Sequence, residues 1–422
     1  MSLSTVAVPR RAKGLAGEAK GRQGGNGPQR AACTGAAGAL IAATAPLFQP
    51  YKTAALSLKH RIVLAPLTRC RSPNHVPTEL AVEYYSQRAT DGGLLISEAV
   101  GVDATSFGYP QTPGIYTREM VEAWKPITAG VHAKGGVFFA QLWSVGRVSH
   151  PRYQPDGALP LAPSAVEFKA EVNDPETFTP LQCPVPRAMT TEEVEKLPAV
   201  FAQAAKNAIE AGFDGVELHS AHGYLLEEFL KSSSNKRTDK YGGSIENRRR
   251  VVLETVDAVV AAIGADRTAI RLSPFATFND ASEENPIPVY VPLLEELNAR
   301  KLAYVHMVEP RVNGVEDNAD VGKKSTRPFR EAYEGTWITA GAYLPDTAAA
   351  AVESGAADLV AFGRRFISNP DIVDRIRLGA ELHPYDRSTF YGPHPGNGPE
   401  QGYTDQPFLA PAVKAELEQK LE

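Results

Sequence analysis

Near the middle of the chain, His219-Ser-Ala-His-Gly-Tyr224 brings two imidazoles and a phenol into one short stretch. His219 and His222 can offer two N–H donors to a single oxygen. Such a pair polarises a carbonyl and stabilises the enolate formed when a nucleophile adds. Tyr224 can then give a proton to carbon as general acid. An HxxH pair also binds metals, but no carboxylate or third His stands at motif spacing, so no metal is assigned. The structural alternative, a satisfied histidine, is the default for one His. It is weaker for two with a Tyr directly after an apolar run.

A second set of polar residues ends other apolar runs: Thr68, Gln141, Arg271 and Arg364, with Gly341 and Gly363 beside them. Thr68, Gln141 and Arg271 can hydrogen-bond a planar heterocycle with carbonyls and ring nitrogens. Gly341, Gly363 and Arg364 follow the last two runs, where a barrel commonly holds a phosphate with backbone N–H groups and a cation. Phosphate plus polar ring suggests a mononucleotide. Any one of these residues alone reads as an ordinary cap; the set describes a ligand.

The elements that must position them are eight apolar runs of strand length. They are His60–Ala65, Leu94–Ala99, Val137–Leu142, Gly215–Ser220, Thr268–Ser273, Tyr304–Glu309, Trp337–Gly341 and Leu359–Gly363. Continuous apolar runs suit parallel strands buried on both faces. Amphipathic stretches such as Thr191–Ala211 and Asn247–Ile263 lie between them. The pattern predicts an α/β fold, a (β/α)8 TIM barrel, with site residues at the strand C-termini. An open doubly wound sheet is the alternative, but no GxGxxG follows the first strand. The Pro-rich stretch 142–215 between strands three and four predicts an excursion capping the barrel.

The chain has 422 residues, a net charge of −5, 43% hydrophobic and 22% charged residues, as in globular proteins. Three cysteines exclude a disulfide framework. Residues 1–46 carry +5 and are rich in Ala and Gly, which predicts a disordered extension ahead of a barrel at 47–410 and a tail at 411–422. The remaining −10 argues against nucleic acid as a partner. The uncharged run Ala31–Tyr51 is interrupted by Pro46 and Pro50 and reads as a linker, not a membrane span. The extension is compatible with a cytoplasmic protein or with plastid targeting, and Gln419-Lys-Leu-Glu422 is no peroxisomal signal.

Several stretches together resemble one family. They are Val63-Leu-Ala-Pro-Leu-Thr-Arg69, Tyr84-Tyr-Ser-Gln-Arg88, Ser97-Glu-Ala-Val-Gly101, Thr112-Pro-Gly-Ile115, Gln141-Leu-Trp143 and Val145-Gly-Arg147. Gly212-Phe-Asp-Gly-Val-Glu217, Arg237-Thr-Asp-Lys-Tyr-Gly-Gly-Ser244 with Asn247-Arg248, Ile270-Arg-Leu-Ser-Pro-Phe275, Tyr385-Asp-Arg387 and Thr389-Phe-Tyr391 complete the set. From about Leu47 to Leu409 the chain resembles the old yellow enzyme family of FMN-dependent ene-reductases, and within it the plant 12-oxophytodienoate reductases. The resemblance implies FMN at the barrel mouth, reduced by NADPH. It implies Pro66, Leu67 and Thr68 at the flavin edge, Ala99 giving backbone contacts, Gln141 on the pyrimidine side and Arg271 near N1/O2. Gly341, Gly363 and Arg364 would hold the phosphate, and His219 and His222 the carbonyl oxygen of an enone. Tyr224 would protonate the α-carbon, and Arg311, Tyr391 and Tyr109 would line the substrate pocket. The pattern departs from relatives at Ser144 and Phe278, which would reshape that pocket. It implies reduction of 12-oxophytodienoate or related cyclopentenone oxylipins, in a monomer or weak homodimer. General enone or enal detoxification uses the same catalytic atoms. A non-catalytic FMN-binding protein and a flavin-free barrel isomerase are the remaining alternatives.

Overall fold

Eight short strands close into one parallel barrel in the computed structural model, which describes residues 38–314, 316–318, 321–392 and 398–420. The strands are β1 (Ile62–Leu64), β2 (Leu94–Gly101), β3 (Val137–Trp143), β4 (Gly215–Ser220), β5 (Thr268–Leu272), β6 (Tyr304–Val308), β7 (Trp337–Ala340) and β8 (Leu359–Phe362). Each pairs in parallel with its sequence neighbours, and β8 closes onto β1 through Ala361 opposite Val63. All eight expected runs form these strands. Nearly every strand residue is buried, because the barrel interior covers one face and the helical layer the other. The pairing of β2 with β3 shifts register between Ile96 and Ala99, a bulge the apolar run did not announce.

The helices between strands carry the expected punctuation. The helix Thr191–Glu210 opens on a capping box, Thr190 with Glu193, and Ile245–Ile263 is capped by Ser244 and stops at Gly264, φ 96°. Their apolar faces join Trp124, Phe138, Phe213 and Phe229 in the layer outside the barrel. The excursion between β3 and β4 holds an antiparallel hairpin, Glu171–Asn173 with Pro180–Gln182. Its Phe168, Val172 and Cys183 pack with Trp143 and Tyr224, so it closes one side of the barrel mouth.

The extension expected to be disordered to residue 46 lies outside the described residues up to 37, but the boundary is too late. Residues 38–44 are helical, Ala45–Phe48 continue as a 3-10 turn, and Thr44 and Leu47 are buried. Small residues without charge gave no apolar stripe, yet this stretch packs. Among the described residues no helix is long and apolar enough to cross a membrane.

The C-terminal segment returns to the start of the barrel. The guanidinium of Arg69 donates to the carbonyls of Phe390 (2.9 Å) and Gly402 (2.6 Å), and Arg71 donates to Gln401 (2.7 Å). Tyr403 stacks on Tyr84 at 4.3 Å between ring centroids. A final helix, Pro411–Gln419, is tied down by Lys414 to Asp374.

Candidate functional site

A cavity of about 450 Å3 opens at the C-terminal end of the strands, within the range of small-molecule sites. Its wall holds Pro66, Leu67 and Thr68 after β1, Gln141 and Trp143 on β3, His219 on β4 and Arg271 on β5. Gly341 after β7, Gly363 and Arg364 after β8, and His222, Tyr224, Tyr109 and Tyr391 from the loops complete the set.

The three residues first singled out meet at this wall. Ring centroids of His219 and Tyr224 lie 5.0 Å apart, and those of His219 and His222 5.7 Å apart. Trp143 stands edge-on to Tyr224 at 5.0 Å and parallel to His219 at 6.2 Å. The Tyr224 and Tyr109 hydroxyls are hydrogen-bonded at 3.0 Å.

The turn after β4 explains how one strand end presents all three. His222 has φ 58° and Gly223 φ 74°, so two consecutive residues are left-handed. That conformation is strained for a His and must be held from outside. Glu227, fully buried on the short helix Leu225–Leu230, holds it. Its carboxylate accepts from the Gly223 N–H (2.7 Å), the Ser273 hydroxyl (2.7 Å) and the Tyr290 hydroxyl (3.0 Å), and pairs with Lys231 (3.2 Å). Ser273 in turn accepts from the His222 N–H at 2.8 Å.

Electrostatics fit the chemistry. Burial, with Arg271 second, pushes both His219 and His222 well below the usual imidazole range. Both are therefore neutral near pH 7, and each ring offers one N–H and one lone pair. Burial pushes the Tyr224 phenol up to about 12, so it keeps its proton through the physiological range. Burial pulls the Arg271 guanidinium down, with Glu217 opposing.

The residues present fit a flavin mononucleotide. His219 Nδ1, Trp143 Nε1 and Arg271 Nε are buried with no hydrogen-bond partner among the described residues, and all three residues line the cavity. Buried polar atoms without partners are rare in folded proteins, and these three belong to side chains that share one wall. At the end near β7 and β8, Gly341 has φ 147°, and a Cβ there would come within 2.7 Å of the Glu309 Cβ. The backbone can pass this close to Glu309 only as glycine, which leaves the Gly341 peptide open on the cavity wall. Arg364 bonds the Asp317 carboxylate through both terminal nitrogens, and Arg365 lies beside it on the wall.

Two expected contacts fall elsewhere. Ala99 is not among the wall residues; it packs with Trp143 and Tyr224, at the point where the β2–β3 register shift ends. Arg311 is not on it either, because its guanidinium lies over the Tyr343 ring at 4.2 Å and Tyr343 takes the lining position. Of the two departures noted, Phe278 lines the cavity and Ser144 does not. Sequence reasoning left Trp143, Tyr343, Asp317 and Arg365 without roles. Trp143 was findable, two residues beyond Gln141 on the same strand face. Among the described residues no group of three or more His, Cys, Asp or Glu is arranged for a metal.

A closed parallel barrel with this polar mouth defines a flavin oxidoreductase of the TIM-barrel class. The chain belongs to the NADH:flavin oxidoreductase / NADH oxidase family, whose model matches residues 46–383. It is 49% identical to 12-oxophytodienoate reductase 1 of Oryza sativa subsp. japonica, across 87% of this chain and 94% of that one. It is 48% identical to 12-oxophytodienoate reductase 2 of Arabidopsis thaliana, across 86% and 95%. Among solved structures it is similar to morphinone reductase in complex with tetrahydroNAD, with TM-score 0.79 and 44% identity over 87% of this chain and 98% of that one. An old yellow enzyme homologue from Zymomonas mobilis matches with TM-score 0.80 and 40% identity, over 86% and 99%.

Proposed function

We propose that the chain is an ene-reductase that uses NADPH to reduce the C=C bond of α,β-unsaturated carbonyls, with cyclopentenone oxylipins such as 12-oxophytodienoate as substrates. The observation that carries the reading is the meeting of His219, His222 and Tyr224 on one cavity wall, where burial favours neutral imidazoles and a protonated phenol. FMN, when bound, supplies the hydride chemistry. Pro66, Leu67, Thr68, Gln141 and Arg271 would hold its ring, and Gly341, Gly363 and Arg364 its phosphate. The two imidazoles direct N–H groups at the carbonyl oxygen and draw charge onto it, which makes the β-carbon electrophilic. Tyr224 donates its hydroxyl proton to the α-carbon, and Tyr109, hydrogen-bonded to that hydroxyl, is placed to return one. Tyr109, Trp143, Phe278 and Tyr391 give the cavity an aromatic wall suited to a flat apolar enone.

The oxylipin assignment draws support from the names of the rice and Arabidopsis relatives. The test is a visible spectrum of the purified protein, an anaerobic titration with NADPH and then with NADH, and addition of enone. Flavin absorbance should bleach with NADPH and return with enone. A colourless protein that takes up no FMN would overturn the reading. A kcat/KM for 12-oxophytodienoate no higher than for cyclohexenone would leave general enone reduction as the function.

A further inference from the structure

One acidic residue stands just behind the cavity wall and touches nothing that enters it. Glu217, on β4, is fully buried and does not line the cavity. One carboxylate oxygen accepts from Gln141 Nε2 at 2.7 Å, and the other lies 2.9 Å from His306 Nδ1 on β6. Arg271 on β5 faces it, and His219 follows two residues along β4. A buried ion network of this kind seldom stabilises a fold better than well-packed apolar side chains would. Its presence at the barrel centre needs another reason.

Burial raises the Glu217 carboxyl, but His306, Arg271 and Gln141 outweigh it and hold the group below the usual carboxylate range. It is therefore an anion, and an anion only accepts. Gln141 must turn its amide nitrogen toward Glu217, which leaves its carbonyl oxygen for the cavity. That oxygen needs a donor, so the ring edge it meets must carry an N–H. The pyrimidine edge of a flavin offers one, N3–H, between two carbonyls.

We propose that Glu217 is a positioning residue for the flavin, fixing through the Gln141 amide which ring edge the cavity accepts and tempering the charge of Arg271 on the other side. The inference rests on the flavin reading above.

Glu217→Gln tests it, with binding and redox readouts in place of turnover. Wild type should bind FMN over N3-methyl-FMN by about tenfold or more, the worth of one hydrogen bond. In Glu217→Gln the Gln141 amide is free to turn over, and that discrimination should fall to about twofold. The midpoint potential of bound FMN should move positive, because Arg271 loses its compensating anion and the reduced ring gains negative charge beside it. Unchanged discrimination in a variant that still binds FMN overturns the proposal, with or without a shifted potential, since charge alone would then explain Glu217. If Glu217→Gln does not fold, Glu217→Asp, which keeps the charge but draws the carboxylate away from Gln141 Nε2, should narrow the same discrimination; an unchanged ratio overturns the proposal equally. Wild type that binds no FMN would overturn the flavin reading itself, an outcome distinct from both.

Discussion

At the residue scale, the site depends on protonation states that burial sets. His219 is neutral and donates one N–H, so His219→Ala should lower kcat/KM on cyclohexenone by about 10²–10³ while FMN stays bound, the usual loss for one oxyanion donor. Tyr224→Phe should slow reoxidation by enone and leave reduction by NADPH unchanged; stopped-flow flavin absorbance separates the two halves. Burial lifts the Tyr224 phenol to about 12, so the reoxidation rate should stay flat through pH 10, where an ordinary tyrosine already loses half its protons. A fall centred near 10 would show the phenol to be solvated. Outside the site, burial raises Glu228 from 4.5 to about 8. The folded state then binds a proton that the unfolded chain releases, and this contribution to stability falls as pH rises from about 4.5 to 8. Denaturant unfolding of Glu228→Gln should show the variant gaining on wild type across that interval.

At the scale of elements, the strands were legible and the turns between them were not. Runs such as Leu94–Ala99 and Gly215–Ser220 announce parallel strands because both faces are covered, and once the barrel is inferred their ends point to His219 and Arg271. The bulge at Ile96–Ala99 left no trace in the apolar run. Glu227 was illegible for another reason: its partners come from β5's far end, from the helix Ile287–Asn298 and from its own turn, an arrangement only the closed barrel creates. Removing it should show what it does. Glu227→Ala strands a buried Lys231 and releases the left-handed His222 turn, a loss of about 3–5 kcal/mol in unfolding experiments. Gly341→Ala is the counterpart at the other end of the cavity. Its Cβ would overlap Glu309, so FMN should bind at least about tenfold more weakly, by fluorescence titration, with a cost of about 1–3 kcal/mol in backbone strain.

At the scale of the whole molecule, the wall of the cavity is drawn from both ends of the chain. Ala65 to Thr68 lie on one side, and Tyr385, Phe390 and Tyr391 on the other. Arg69, Arg71 and Arg88 hold that second side by donating to its backbone carbonyls, and Arg88 reaches Tyr403 at 3.3 Å as well as Ile367 at 2.9 Å. Arg69→Leu should lower the thermal midpoint by several degrees and loosen binding of a phenolic ligand, because the Gly402 carbonyl loses its guanidinium donor and Phe390 keeps only Arg71 at 3.5 Å. Synthesis runs from one end to the other, and domains begin to fold as they emerge. The barrel strands leave the ribosome well before residues 385–403 do. Until those last residues are released, a growing chain has the floor that would hold a cofactor and no far wall against which a substrate could be enclosed.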